Sequence, residues 1–473
     1  MQRYISRKER EPKSYLVMKK ICYSVLLVIC ASLVFLGVSS GCGNCITTDD
    51  GNGNFFKYIP EFHYSYFSNG VDAISPNNLS LFVDNSTCNV LGQHSAFYQA
   101  LIPSWVASTK HYYSIKGDSI IEEKGNTFNL LKSIQECNYA NLVGAISKIV
   151  EHDGESVLLT DGEFYQPTVA KGNINNPYMA EGLKKWLIKG HDIFVFSEPY
   201  QEMSKGQIYN KKRFYFLFTD VRLKDNIYDR IMQTAKLQDF PHVELFHLSA
   251  DHPSLAAEGT SSKPNSNLSA KVEGHGDFEV QEWQINWEDG IEPLLVYAFD
   301  PQTGNPLQDG ESFTGGIKVD RNSFGGYRIK NVVAKVYNIN QEFTDFCIAK
   351  GTGKKIGGSL EPLTPQDFFV KLDEKEFNKH GIINLHFDTQ MYTPDFVLNG
   401  NPYNFTKIDI CVSEVDDMFS QFEHQFEFDS IDMPGQNNTS VAESIKQCLA
   451  DPDIKNMIET CPIYSIYIKS LKR

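Results

Sequence analysis

The chain has 473 residues, enough for two or three domains with a full core each. Hydrophobic content of 41% with 12% aromatic excludes a disordered chain. A net charge of −15 argues against nucleic acid as the main partner, because phosphate binding needs clustered Lys and Arg.

Lys19 and Lys20 precede an apolar run, "ICYSVLLVICASLVFLGV", that closes on the small residues "SSGC" at 39–42. This reads as a secretory signal over residues 1–41, with 1–17 as an extended leader or a mis-assigned start before Met18. The Cys after Gly41 resembles the lipobox of bacterial lipoproteins, although Ser39 stands where that family has Leu. The resemblance implies that Cys42 becomes the lipidated first residue. The protein would then be held at the outer membrane or cell surface, in the cell envelope outside the cytoplasm. The other reading is an uncleaved membrane anchor, since the run is long enough to span a bilayer. Of ten cysteines, Cys45, Cys88, Cys137, Cys347, Cys411, Cys448 and Cys461 follow Cys42. Their odd, scattered set is neither a disulfide scaffold nor a zinc site, and Cys448 with Cys461 is either a pair or two buried thiols.

Residues 42–56 are small and polar and read as a tether. From 57 to 252, short apolar strands alternate with amphipathic helices, which predicts α/β with a mostly parallel sheet. "LSLFV" (79–83) is a strand. "AFYQALIPSWVAS" is a helix that Pro103 kinks or ends. A strand follows around Tyr112 to Ile115. The stretch from Asn126 to Val150 carries helical stripes through Leu130, Leu131, Ile134, Leu142, Ile146 and Ile149. "SVLLTDG" is a strand ending at Asp161. "NPYMAEGLKKWLIKG" is a helix with Asn176 as cap, Pro177 in its first turn and Gly190 at its end. "DIFVFS" and "RFYFLFTD" are strands, a helix runs through Leu223, Ile227 and Ile231, and "VELFHLS" closes the set.

Residues 253–276, rich in Ser, Pro, Gly and Asn, read as a linker. From 277 to 473 strands and turns dominate, which predicts a mainly antiparallel β-sandwich-like domain with a short helical C-terminal segment. Its strands include "VQEWQINW", "IINLHF" and "KIDICV". Ser440 with Glu443 reads as a capping box, Pro452 opens a further helix, and "YSIYIK" is a last strand. Phe419, Phe422 and Phe426 turn inward from an acidic stretch. "GTGKKIGG" (351–358) reads as a hairpin turn, since it lacks the Gly-Lys-Ser/Thr of a phosphate loop.

Three pieces of the first half place oxygen ligands at a strand end or helix start: Asp84-Asn85-Ser86-Thr87-Cys88, Thr127 after Gly125-Asn126, and Asp161 in "TDG". In an open parallel sheet, strand carboxyl ends converge on one edge. Carboxylates with hydroxyls suit Mg²⁺, Mn²⁺ or Ca²⁺. In this order the pieces resemble the metal-ion-dependent adhesion site of the von Willebrand factor A domain, a Rossmann-like fold. The resemblance covers roughly 57–252. It implies that Asp84, Ser86 and Thr127 are metal ligands and Asp161 a near or water-mediated one. Cys88 stands where the motif has its second Ser, and a thiol is a poor ligand for Mg²⁺. The resemblance further implies a binding or adhesion module rather than an enzyme, engaging an acidic group of a protein or other envelope or extracellular ligand. Phe164 and Tyr165, just after Asp161, are candidate contacts. Two alternatives stand beside it. One is a metal-assisted hydrolase on the same carboxylates, the other a structural envelope component with a degenerate site.

Overall fold

The computed structural model describes Phe62 and residues 74–86, 95–132, 139–163, 179–250 save 222 and 224, 269–271, 279–285, 294–297, 317–318, 321, 325–343, 345–346, 370–372, 374–383, 385–387 and 403–471. The proposed signal, Cys42, the tether, Asn176, Pro177 and the 351–358 turn lie outside them.

The first half is α/β. Its strands are β1 (Ser75–Asp84), β2 (Thr109–Lys116), β3 (Ser119–Glu123), β4 (Gly154–Thr160), β5 (Asp192–Ser204), β6 (Gln207–Thr219) and β7 (Glu244–Leu248). They form one sheet in the order β3-β2-β1-β4-β6-β5-β7. Successive apolar residues in β1 are what a strand buried on both faces requires. Leu79, Leu81 and Val83 enter one core, and Phe82 enters the other. The helices are α1 (Ala96–Ser108), α2 (Thr127–Lys132), α3 (Leu142–Glu151), α4 (Ala180–Leu187) and α5 (Ile227–Thr234). Residues of α1 and α5 fill one core; residues of α3 and α4 fill the other.

The expectation of a mostly parallel sheet holds only at its centre. β1 is parallel to β2 and β4, whereas β2–β3, β4–β6, β5–β6 and β5–β7 are antiparallel. The reason is local. β5 and β6 are joined by Lys205 and Gly206, both at positive φ (50° and 79°). So short a connection makes a hairpin, whereas parallel strands need a long crossover.

Three local expectations change in detail. α1 runs on through Pro103 to Ser108, with Phe97, Leu101 and Trp105 fully buried along it. Leu223 precedes α5 rather than lying in it, because Asp225 takes φ 59° and Asn226 caps the helix by accepting from Asp229 N at 2.9 Å. Ser440 is the first helical residue of its segment, not the cap. Thr439 occupies the cap position without a side-chain capping bond, and Ser440 N donates to Asn438 Oδ1 at 3.0 Å.

In the second half every pairing among the described strands is antiparallel. β8 (Ser269–Lys271), β9 (Glu279–Ile285), β10 (Leu294–Tyr297), β12 (Tyr327–Asn338), β16 (Tyr403–Asp417) and β19 (Pro462–Leu471) form a six-stranded sheet in the order β12-β16-β19-β10-β9-β8. β8 falls within the stretch read as a linker, and the last strand, β19, pairs between β16 and β10. Three ribbons complete the half: β11 (Ile317–Lys318) with β14 (Ile382–Ile383), β13 (Val370–Leu372) with β15 (Leu385–Phe387), and β17 (Phe428–Asp429) with β18 (Asn437–Asn438). Its helices are α6 (Glu374–His380), α7 (Ser440–Leu449) and α8 (Pro452–Thr460). Pro452 takes the first turn of α8, and Asp451 caps it by accepting from Asp453 N. Cys411, Cys448 and Cys461 are buried thiols. Among the described residues no helix is long and apolar enough to cross a membrane.

The core of α3 and α4 continues without a break into the second half, through Phe246 to Phe419, Phe426, Val441 and Ile445. Polar ties reinforce it. Lys184 Nζ meets Asp451 and Asp453 at 2.9 Å each. Ser197 Oγ donates to Gln425 O at 2.7 Å, and Asn210 N donates to Asp429 Oδ2 at 2.7 Å. Phe419 and Phe426 are buried and Phe422 packs against the same core, so the acidic stretch does turn its aromatic face inward.

Candidate functional site

β1 and β4 are adjacent and parallel, with Val83 opposite Leu159, so their next residues leave the sheet side by side. Asp84 ends β1, fully buried. Its Oδ1 accepts from Ser86 N at 2.7 Å, an Asx turn that folds the chain back. Its Oδ2 accepts from Thr160 Oγ1 at 2.7 Å. Asp161 follows β4 and repeats the device, its Oδ1 accepting from Glu163 N at 3.0 Å. Ser86 Oγ closes the arrangement by donating to Asp161 Oδ2 at 2.9 Å. Asp84, Ser86 and Asp161 are thus brought together, with Thr160 as a fourth member.

Gly162 makes this exit from β4 feasible. Its φ is 74°, and a Cβ there would lie 2.7 Å from Val441 Cγ2 and 2.8 Å from the Phe214 ring. The small residue of "TDG" is therefore required by α7 packing over the turn as well as by the backbone.

Thr127 lies at the start of a helix, apart from the two strand ends in the chain. It opens α2, half-buried, and no hydrogen bond links it to Asp84, Ser86 or Asp161 among the described residues. Cys88, Phe164 and Tyr165 lie outside the described residues.

The cluster has members that the sequence pattern did not single out. β6 runs on past the end of β4, since Thr160 pairs with Phe214 while β6 begins at Gln207. Lys211 and Arg213 therefore flank residues 161–163. Lys211, fully buried, pairs with Glu163. Arg213 Nη1 pairs with Glu198 Oε2 at 2.7 Å, and the same oxygen accepts from Tyr215 OH at 2.6 Å. The available signal was the alternation Lys211, Arg213, Tyr215, which puts all three on one strand face.

Burial dominates the electrostatics. It pushes the Asp84 carboxyl up to about 6, against the opposing bonds from Thr160 and Ser86. Burial, then the neighbouring Asp84 charge, pushes Asp161 up to about 6. Burial, then Asp161, pushes Glu163 up to about 7, while Lys211 opposes the rise. Three carboxylates in mutual repulsion form a place for positive charge.

The residues present fit a hard divalent cation in donor chemistry, with two buried carboxylates and the Ser86 hydroxyl; between Asp84 and Ser86 in the chain, Asn85 Oδ1 is buried without a hydrogen-bond partner among the described residues. They do not form a cage of acidic, imidazole or thiol ligands; no such group of three is present among the described residues. Hydroxyl groups, main-chain oxygens and water would have to complete the shell. No protein family, curated protein or solved structure matches this chain.

Proposed function

We propose that the chain is a binding module, a lipid-anchored envelope protein with a von Willebrand A-like first half that engages an acidic group of a partner through a divalent ion. The observation that carries this reading is the convergence of Asp84, Ser86 and Asp161 at the ends of two adjacent parallel strands. Asp84 and Asp161 supply charge, and Ser86 supplies a hydroxyl. Thr160 and the two Asx turns fix the carboxylate orientations. Mg²⁺ or Mn²⁺ suits this set better than Ca²⁺, because few protein oxygens converge and water must fill the remainder. When bound, the ion offers an open coordination position to a partner carboxylate.

Phe164 and Tyr165 follow Asp161 closely in sequence and are the proposed partner contacts. Cys42 as lipid anchor sets the module beside a membrane, so its ligand is an envelope or extracellular protein. The strength of such an anchor depends on how many acyl chains it carries: one holds marginally, and several hold stably.

Calorimetric titration of the full-length chain in detergent tests the metal step. Saturable heat with Mg²⁺ or Mn²⁺ is expected, and its loss in Asp84→Ala and Asp161→Ala. Absence of heat at millimolar metal, or an Asp84→Ala variant that behaves like the parent, ends the reading.

A further inference from the structure

Lys211 is the residue of this cluster with the least obvious reason to be there. It sits on β6 with its side chain fully buried. An ammonium gives up its hydration at such a position unless partners replace it. Those partners come from both halves of the molecule. Nζ pairs with Glu163 and lies 3.3 Å from the Asp429 carbonyl oxygen. It also sits 4.5 Å from the centre of the Phe428 ring.

Phe428 and Asp429 form β17, and they are held in place independently of Lys211. Asp429 Oδ2 accepts from Asn210 N, the Phe428 ring lies tilted against that of Phe214 with centroids 6.0 Å apart, and β17 pairs with β18. The second half thus fixes where the ammonium rests. From that seat it pairs with Glu163, whose own N–H binds Asp161 Oδ1 at 3.0 Å, so the ammonium lies beside the acid cluster. A divalent ion held by Asp84, Ser86 and Asp161 would meet this cation at short range in a water-poor environment, where like charges interact strongly.

We propose that Lys211 is a resident counter-cation that competes with a divalent ion for the negative charge of Asp161 and Glu163, and that Phe428 and Asp429, by seating it, set how tightly the site holds metal. This inference rests on the divalent-metal reading above and deepens it. The C-terminal half becomes part of the control of the site rather than a separate support.

The test is Mn²⁺ calorimetry on the full-length parent, Lys211→Gln, Lys211→Arg and Asp84→Ala. Gln is neutral and can still donate to Glu163, so it removes the charge while keeping a bond. Lys211→Gln is expected to bind Mn²⁺ about tenfold more tightly or better, and Lys211→Arg to stay within about threefold of the parent. A parent that binds Mn²⁺, an Asp84→Ala that does not, and a Lys211→Gln no tighter than the parent would overturn the role of Lys211 and leave the metal site standing. No saturable heat from either the parent or Lys211→Gln overturns both. If Lys211→Gln does not fold, Phe428→Leu serves instead, because it removes the ring without touching the charge. It loosens the seat, and a gain of about threefold is expected from the lost cation–ring contact. Unchanged affinity in a folded Phe428→Leu overturns the proposal.

Discussion

Glu155 lies near the start of β4 and Asp161 directly follows its end, both buried, in surroundings of opposite sign. Glu155 is matched on every side. Its Oε1 accepts from Thr219 Oγ1 at 2.5 Å and from Ile227 N, the first residue of α5, at 2.6 Å; its Oε2 meets Arg230 Nη2 at 2.9 Å. A cation and a helix N-terminus together hold that carboxylate. Asp161 instead faces Asp84 and Glu163, and burial with like charge raises its carboxyl. One end of the strand uses a carboxylate as a structural bond. The other keeps carboxylates together at a cost to stability, which is how binding sites commonly differ from scaffolds.

The sharpest way to break this comparison is to remove each carboxylate in turn. Glu155→Ala leaves Arg230, Thr219 Oγ1 and the α5 terminus without their acceptor, and a loss of about 3–5 kcal/mol is expected in urea unfolding. Gly162→Ala comes next. The added Cβ meets Val441 and Phe214 at a φ that L-residues avoid, so a loss of about 2–3 kcal/mol is expected. A smaller loss would mean that α7 yields easily over the turn.

Asp84→Asn should act in the opposite direction. In chelator it removes a buried charge that repels Asp161, and a gain of about 1–2 kcal/mol near neutral pH is expected. Adding Mg²⁺ should stabilise the parent and not this variant. A destabilised Asp84→Asn in chelator would place Asp84 with Glu155 as a structural carboxylate.

The smallest effect is the pH dependence of that gain. Folding raises the Asp84 and Asp161 carboxyls from 3.8 to about 6. Between those values the folded chain binds more protons than the unfolded one. Stability from these groups is therefore present at low pH and lost as pH rises through about 6. The advantage of Asp84→Asn over the parent should shrink by up to about 1 kcal/mol between about pH 7 and about pH 5, read from paired urea curves. Metal affinity of the parent should fall over the same range, because protonated carboxylates cannot ligate.

Legibility in the sequence followed how local the cause was. β1 announced itself through "LSLFV", because a strand buried on both faces has no polar alternation. Pro452 marked α8 for an equally local reason, having no N–H to lose in a first turn. Asp84, Ser86 and Asp161 were readable because strand ends with Asx turns have a recurring residue pattern. Ser440 was misplaced by one residue because Asn438 offered the competing acceptor. Lys211 was missed because "NKKRFYFLFT" looks like a strand only from Arg213 onward. Its first charged residues join β6 through pairing with β5 across the Lys205–Gly206 turn.

The sequence by itself determined most elements of the first half, the central parallel strands and the residue types at their ends, since those depend on apolar period, turn chemistry and caps within a few residues. Only the tertiary structure decided that a hairpin would make the other side of the sheet antiparallel. It also decided that β6 would carry Lys211 to the acid cluster and that β17 would hold the ammonium there. Those outcomes depend on which distant strands pair and on where buried charge finds its partner, and neither is written in any local stretch of chain.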